Sequence, residues 1–251
     1  MSMLRNLVER LKTTPAQPAI TPPAPAAPPR SAYKQHWNSL AGSEEAAKIA
    51  VSGYVDEELY LRTAQATLAM LEKYAGVGPQ DVVLEIGAGV GRVGAVLAPL
   101  CREWIGTDVS ENMVAHIRQR LAAFANVRGV ACSGFDLAEI ASESVDLVYC
   151  TVVFMHLEEW ERYNYIVEAM RILRPGGRML VDNVNLVSDD GWRFFEELRR
   201  LPPADRPPHI SKTSTPQELE TYFRRAGFTE IRLETENLWI IACGRKPAAI
   251  A

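Results

Sequence analysis

Three glycines at alternate positions, Gly87, Gly89 and Gly91, follow the apolar run Val82–Ile86. Glycine adopts left-handed backbone conformations without steric cost and has no Cβ, so a ligand can lie against such a turn. The apolar run is typical of a buried parallel strand, and from Val90 the spacing becomes helical, with Val93, Val96 and Leu97 on one face. Strand, turn and helix together predict a nucleotide-binding corner, where unpaired N–H groups at the start of the helix face the ligand.

Two carboxylates near this turn narrow the class of ligand. The glycines alone do not, because Gly89, Gly91 and Gly94 also fit the dinucleotide pattern GxGxxG. Glu85 lies inside the end of the strand, where it would repel a pyrophosphate and attract a cation. The alternative for Glu85 is a solvated charge at the strand end. Asp108 ends the second apolar strand, where a carboxylate can accept hydrogen bonds from both hydroxyls of a ribose.

These stretches are similar to those of a known family. LEIGAGVGR from residue 84 and GTDVS from residue 106 resemble class I S-adenosylmethionine-dependent methyltransferases, and so does LRPGGRMLV from residue 173. The resemblance covers roughly residues 53–245. It implies an α/β fold with a doubly wound, mostly parallel, seven-stranded sheet that ends in an antiparallel hairpin, and S-adenosyl-L-methionine as cofactor. It also implies a cofactor site that contains Glu85, Gly87, Ala88, Gly89, Gly91, Asp108, Val109, Met113, Asp136 and Leu137.

Thr151 stands at the carboxyl end of the predicted fourth strand. Open α/β sheets bind ligands at this edge, so Thr151 is predicted to lie near the transferred methyl group. The last two strands, predicted over 229–235 and 238–243, are joined by a link so short that they must form an antiparallel hairpin. Residues 174–177 are predicted to form a turn before the fifth strand.

Composition excludes several function classes. A length of 251 residues suits one domain with appendages, and 47% hydrophobic and 23% charged residues are ordinary for a globular protein. A net charge of −4 gives no electrostatic case for nucleic acid, so no such partner is expected. No apolar run approaches the ~20 residues that span a bilayer, which makes a cytoplasmic location the default expectation. Four widely spaced cysteines favour buried thiols over a metal site.

The chain divides into three predicted parts. Residues 1–30 comprise a short amphipathic helix and a proline-rich linker, predicted to be flexible, and the helix either frays or contacts a partner or membrane surface. Residues 31–79 form a helical cap segment that includes a helix over 56–74. Residues 80–246 form the domain that resembles the methyltransferases, with an insertion at about 188–214.

Methyl transfer requires chiefly that the acceptor and the methyl group be aligned, and a base is needed only for a protonated acceptor. His156 and Asp182, at the ends of the fourth and fifth strands, are the candidate catalytic residues, although His156 could equally be structural. Tyr54, Tyr60 and His209 are candidate substrate contacts, with core packing as the alternative for the tyrosines. The sequence thus predicts methylation of a hydroxyl, amine or carboxylate on a small molecule.

Two other functions remain open at this point. An NAD(P)-dependent oxidoreductase could use the same glycine turn, but Glu85 and the terminal hairpin disfavour it. A non-catalytic binding module could keep the cofactor fold for interaction alone. Calorimetry with NADH and S-adenosylhomocysteine separates the first of these from a methyltransferase.

Overall fold

The computed structural model describes residues 29–53 and 55–248 of the chain. The amphipathic helix predicted over residues 1–12 and nearly all of the proline-rich linker lie outside the described residues. Tyr54, a predicted substrate contact, also lies outside them.

Three helices precede the sheet: α1 (Pro29–Leu40), α2 (Glu44–Ser52) and α3 (Glu57–Tyr74). The side chains of Ser43 and Asp56 accept backbone N–H groups at the starts of α2 and α3. Such N-caps satisfy donors that have no partner within the helix. The caps therefore fix where these two helices begin, and with them the position of the segment that precedes the first strand.

The strands form one twisted sheet. Their order is β3-β2-β1-β4-β5-β8-β7, with β6 paired to β5, and all pairs are parallel except those made by β8. The bounds are β1 (Val82–Ile86), β2 (Glu103–Asp108), β3 (Val127–Ala131), β4 (Val145–Cys150), β5 (Leu173–Asn185), β6 (Thr213–Ser214), β7 (Thr229–Glu236) and β8 (Trp239–Arg245). The predicted doubly wound, mostly parallel sheet with a C-terminal hairpin is confirmed. The sequence did not predict β6, because two residues carry no alternating pattern.

The remaining helices lie on both faces of this sheet. They are α4 (Gly94–Leu97), α5 (Glu111–Arg120), α6 (Glu159–Ile172), α7 (Asp189–Arg199) and α8 (Pro216–Ala226). Buried residues of α6 and α8 pack on one face, and those of α3 and α4 pack on the other. Parallel strands covered on both faces are apolar along their whole length, which explains the continuous run in β1. Among the described helices, none has the length and apolarity needed to cross a membrane.

The sequence predicted that a turn at residues 174–177 precedes the fifth strand, and this strand boundary is wrong. These residues lie within β5, where pairing with β4 jumps from Val145–Leu173 to Leu147–Arg178. The extra residues form a bulge, in which Gly176 has a φ of 80° and donates its N–H to the carbonyl of Lys246 at 3.0 Å. A bulge accommodates Pro-Gly-Gly without ending the strand, because the unpaired residues leave the ladder locally and rejoin it.

Candidate active site

A cavity open to solvent lies at the carboxyl ends of β1, β2 and β4, with about 1010 Å³ of empty space when the solvent at its opening is included. The glycine turn after β1, the end of β2 and the segment after β4 form its inner wall, and α1 and α2 cover it. Nine predicted site residues line it: Glu85, Gly87, Ala88, Gly89, Asp108, Val109, Met113, Thr151 and His156. The sheet therefore brings together residues that lie up to 71 positions apart, from 85 to 156.

The glycine turn leaves almost no space for side chains. Gly87 and Gly89 have φ values of 73° and 54°, a region that favours glycine. A Cβ on Gly87 would lie 2.4 Å from Cγ2 of Val153, and one on Gly89 would lie 2.6 Å from Cγ2 of Val51. Val153 follows β4 and Val51 belongs to α2, so the turn is held between the sheet edge and the helical cover.

Asp108 is fixed by the backbone around it. Oδ2 accepts the N–H of Gly89 at 2.9 Å, and Oδ1 accepts the N–H of Ser110 at 2.8 Å. Burial raises the pKa of Asp108 to about 6, while these N–H donors act to lower it. The carboxylate lines the cavity and has further lone pairs available, so it can accept hydrogen bonds from the hydroxyl groups of a ribose.

Glu85 lies in β1 just before the glycine turn and is only 4% exposed. The hydroxyl of Tyr149 donates to its Oε2 at 2.5 Å, and Nε1 of Trp104 donates to the hydroxyl oxygen of Tyr149 at 3.1 Å. Burial raises the pKa of Glu85 to about 8. A cationic ligand group would stabilise the ionised form of this carboxyl, so Glu85 is suited to bind an ammonium.

Replacing Glu85 with glutamine should flatten the pH dependence of stability in the unliganded protein. The folded-state pKa of Glu85 lies above its ordinary 4.5, so the folded state binds the extra proton and stability falls as pH rises towards 8. Burial lowers the pKa of His156 to about 4, and its opposing contribution, a rise in stability with pH, is nearly complete by about pH 7.5, one unit above its ordinary value. Between pH 6.5 and 8.5 the melting temperature should fall, and Glu85→Gln should remove about 5 °C of that fall, leaving the smaller part due to Asp182 and Asp108, whose pKa values burial raises to about 7 and about 6. An equal slope in both proteins would contradict the assignment.

Arg92 is a site residue that the sequence analysis missed. It lines the cavity, is 9% exposed, and its Nε and Nη1 have no hydrogen-bond partner among the described residues. Thr151 also has an unsatisfied polar atom, since its buried Oγ1 has no hydrogen-bond partner among the described residues. The arginine directly after the glycine motif was the available signal. Unpaired buried donors beside a cavity indicate groups that a ligand would satisfy.

Histidines from three distant segments meet at the mouth of the cavity. Nε2 of His36 lies 2.5 Å from Nδ1 of His209, and Nδ1 of His156 lies 2.7 Å from the backbone carbonyl of His209. A carbonyl only accepts, so Nδ1 of His156 carries the proton and Nε2 is the acceptor in the neutral ring. The ring of Trp37 contacts those of His156 and His209, at centroid distances of 5.3 and 5.6 Å. Within residues 29–53 and 55–248, no cluster of His, Cys, Asp or Glu could hold a metal ion.

Three of the predicted cofactor residues lie away from the cavity. A Cβ on Gly91 would meet Cδ1 of Leu121 at 2.9 Å, so this glycine permits packing against the segment after α5. Asp136 is half-buried and accepts a hydrogen bond from the hydroxyl of Ser133 at 2.7 Å, and Leu137 is fully buried in the core. The walls near the end of β3 are formed instead by Cys132 and Gly134.

Asp182, a predicted catalytic residue, is buried behind the cavity wall and does not line it. Its Oδ1 accepts the N–H of Val152 at 2.6 Å, and Val152 has a φ of 60°, an uncommon value for a β-branched residue. Burial raises the pKa of Asp182 to about 7. Asp182 thus positions the segment after β4, and its carboxylate is directed at the backbone.

Tyr60 and His209, the other predicted substrate contacts, do not line the cavity. Tyr60 is fully buried outside the cavity wall, with Lys48 and Arg120 at 5.6 and 5.3 Å from its ring centroid. His209 stands behind His156 and does not line the cavity itself. Residues not predicted from the sequence complete the lining: Tyr33, Trp37, Ala50, Val51, Ile86, Arg92, Cys132, Gly134, Val152, Val153, Met155, Leu157 and Tyr165.

The fold and the cavity define a class of protein, a Rossmann-like α/β domain with a cavity at the carboxyl edge of its sheet, and comparisons with known proteins show what it is similar to. Residues 83–177 match the family model described as a methyltransferase domain. The chain is 31% identical, over 64% of its length and 56% of the relative's, to a malonyl-[acyl-carrier protein] O-methyltransferase from Methylococcus capsulatus. The chain spans about half the length, or less, of the first curated relatives it matches.

Solved structures show the same fold at lower sequence identity. A magnesium protoporphyrin IX methyltransferase from Synechocystis with bound S-adenosylhomocysteine has a TM-score of 0.64 at 18% identity, over 87% of this chain and 100% of that one. A Haemonchus contortus phosphoethanolamine N-methyltransferase with the same ligand also has a TM-score of 0.64, at 20% identity, over 89% of this chain and 50% of that one. Residues 83–177 thus match a methyltransferase domain, and the solved structures share its fold, in agreement with the resemblance to class I S-adenosylmethionine-dependent methyltransferases that the sequence motifs indicated.

Proposed function

We propose that this protein transfers the methyl group of S-adenosylmethionine to a small-molecule acceptor whose reacting end is uncharged. The observation that carries this proposal is that the cavity has a charged end and an uncharged end. Its charged lining side chains, Glu85, Arg92 and Asp108, all border the glycine turn or the end of β2. The lining beyond β4 is uncharged and largely apolar or aromatic.

The proposed acceptor end is formed by α1 and by the segment after β4. Tyr33 and Trp37 come from α1, and Val153, Met155 and His156 come from the other side. Burial lowers the pKa of His156 to about 4, so its ring is neutral near pH 7. An ammonium or phosphate placed here would be desolvated without an opposite charge, which is costly. A neutral, flat or apolar acceptor would instead bury its surface against the aromatic rings.

The chain's own residues would hold the cofactor and align the acceptor. Asp108 would accept the ribose hydroxyls and Glu85 would bind the ammonium of the methionine moiety. The bound cofactor supplies an electrophilic methyl group, and alignment of an acceptor atom with it can account for much of the rate. Asp182, through the N–H of Val152, would keep the wall after β4 in place.

Among hydroxyl, amine and carboxylate acceptors, the tautomer of His156 favours a hydroxyl. With Nδ1 donating to the carbonyl of His209, Nε2 is free to accept a proton. A hydroxyl must lose its proton during transfer, whereas a carboxylate is already ionised near neutral pH. A cytoplasmic location and the absence of a nucleic-acid partner stay predictions.

The proposed acceptor site can be tested with Trp37→Ala. Steady-state methyl transfer from S-adenosylmethionine would be measured for matched neutral phenols, amines and carboxylic acids. For the preferred acceptor, Trp37→Ala should raise KM roughly tenfold or more, because the half-buried ring of Trp37 lines the cavity and offers a large contact area to the acceptor. Cofactor affinity should stay unchanged.

Trp160→Ala is the matched control, since Trp160 is 68% exposed on α6 and does not line the cavity. Transfer to none of the neutral acceptors would contradict the proposed acceptor class, and equal KM values in both tryptophan variants would contradict the location. Binding of S-adenosylhomocysteine without transfer to any acceptor would favour a non-catalytic binding module.

A further inference from the structure

Arg92 brings two buried guanidinium nitrogens without hydrogen-bond partners among the described residues to the wall of the cavity. Its Nε and Nη1 are buried and have no hydrogen-bond partner among residues 29–53 and 55–248, although the side chain is only 9% exposed. A buried charge without partners is costly, and native proteins retain such groups where a ligand satisfies them. Arg92 also borders the cavity on the side of the glycine turn.

The carboxyls near Arg92 do not neutralise it through hydrogen bonds. Oε2 of Glu85 is bonded to the hydroxyl of Tyr149, and Oδ1 of Asp182 is bonded to the N–H of Val152. Burial raises the pKa of Glu85 to about 8 and that of Asp182 to about 7, while the charge of Arg92 acts to lower both. In the unliganded site near pH 7, these carboxyls are therefore partly protonated.

We propose that Arg92 binds the carboxylate of the cofactor's methionine moiety, while Glu85 binds its ammonium. This inference rests on the proposed use of S-adenosylmethionine. An α-amino acid group carries one charge of each sign on adjacent positions, and Glu85 and Arg92 supply the two complementary charges on one wall of the cavity. A planar guanidinium can donate two parallel hydrogen bonds to a carboxylate, the geometry that lysine cannot reproduce.

The assignment predicts a distinctive pattern of ligand specificity. S-adenosylhomocysteine retains the carboxylate, and decarboxylated S-adenosylhomocysteine differs by the loss of that group alone. By calorimetry, the wild-type protein should bind the decarboxylated ligand roughly 10- to 100-fold more weakly, the usual effect of a charge-assisted hydrogen bond. This comparison requires no variant.

Replacement of Arg92 should erase that preference. Arg92→Met should weaken S-adenosylhomocysteine by a similar roughly 10- to 100-fold and leave the decarboxylated ligand nearly unchanged. Arg92→Lys should recover part of the loss, since it keeps the charge but not the paired donors. Arg62→Met is the matched control, because Arg62 is exposed on α3 and bonded to Glu58. The melting temperature of unliganded Arg92→Met should not fall, because removal of an unpaired buried charge is neutral or stabilising.

Three results would overturn the proposal. Equal losses for both ligands in Arg92→Met would show that Arg92 supports the site as a whole. Equal affinity of the wild-type protein for both ligands would show that no residue binds the carboxylate of the ligand. Failure of wild-type protein to bind S-adenosylhomocysteine at all would overturn the cofactor assignment as well, and so distinguishes the two failures.

Discussion

Gly89→Val should abolish measurable binding of S-adenosylhomocysteine. Gly89 has a φ of 54°, and a β-branched residue resists this conformation. The new Cβ would lie 2.6 Å from Cγ2 of Val51, so either α2 or the glycine turn must move. Because the N–H of Gly89 also donates to Asp108, a moved turn displaces the predicted ribose-binding carboxylate. Two disrupted contacts at about 1.4 kcal/mol each already weaken binding roughly 100-fold.

Gly176→Val is the matched control for this experiment. Gly176 has a φ of 80°, so a valine there is strained as well, but no atom lies within 4 Å of the position of its Cβ. It lies in the bulge of β5, outside the cavity wall. Both variants should lose thermal stability, and only Gly89→Val should lose ligand affinity in calorimetry at a temperature where both are folded. Similar affinities in the two variants would remove the glycine turn from the ligand site.

The β1–β2 corner could be predicted because its information is local in the sequence. The motif fixes the turn, and the parallel register that pairs Ile86 with Thr107 brings the next residue, Asp108, beside it. The 2.9 Å hydrogen bond from the N–H of Gly89 to the carboxylate of Asp108 follows from this register. The fold class could be predicted for the same reason, because strands that are buried on both faces appear in the sequence as continuous apolar runs.

The acceptor end could not be predicted in this way. His36, His156 and His209 lie in α1, in the turn after β4 and in the segment after α7, and no periodicity in the sequence relates these three segments. Their meeting depends on how α1 packs across the sheet edge. The sequence predicted Asp182 at the end of the fifth strand, whereas β5 continues to Asn185, and the direction of its carboxylate depends on the unusual backbone of Val152. Side-chain direction at such positions is decided by tertiary contacts.

His156→Ala should slow methyl transfer to a hydroxyl acceptor by about 10²-fold while the affinity for S-adenosylhomocysteine is retained. General bases contribute roughly 10²–10⁴-fold, and a base with a low pKa lies at the weaker end of that range. Burial lowers the pKa of His156 to about 4, so its ring is unprotonated throughout the neutral range. With S-adenosylmethionine saturating, so that the titration of Glu85 and Asp108 in the unliganded site does not enter, wild-type kcat/KM for the acceptor should show no protonation step at pH 6.5 and should decline as pH falls towards 4. In His156→Ala, turnover should recover at high pH, where the acceptor hydroxyl ionises without help.

Two other histidines distinguish a base from a structural residue. His116 also bonds a backbone carbonyl, that of Ala41 at 3.1 Å, but lies outside the cavity wall, so His116→Ala controls for the loss of such a contact. His209→Ala keeps the backbone carbonyl that fixes the tautomer of His156, and its effect on turnover should be smaller than that of His156→Ala. If His156→Ala lowers the melting temperature and leaves the shape of the pH–rate profile unchanged, His156 is structural. A stable variant with normal turnover would show that alignment of the acceptor suffices, as displacement at a methyl group permits.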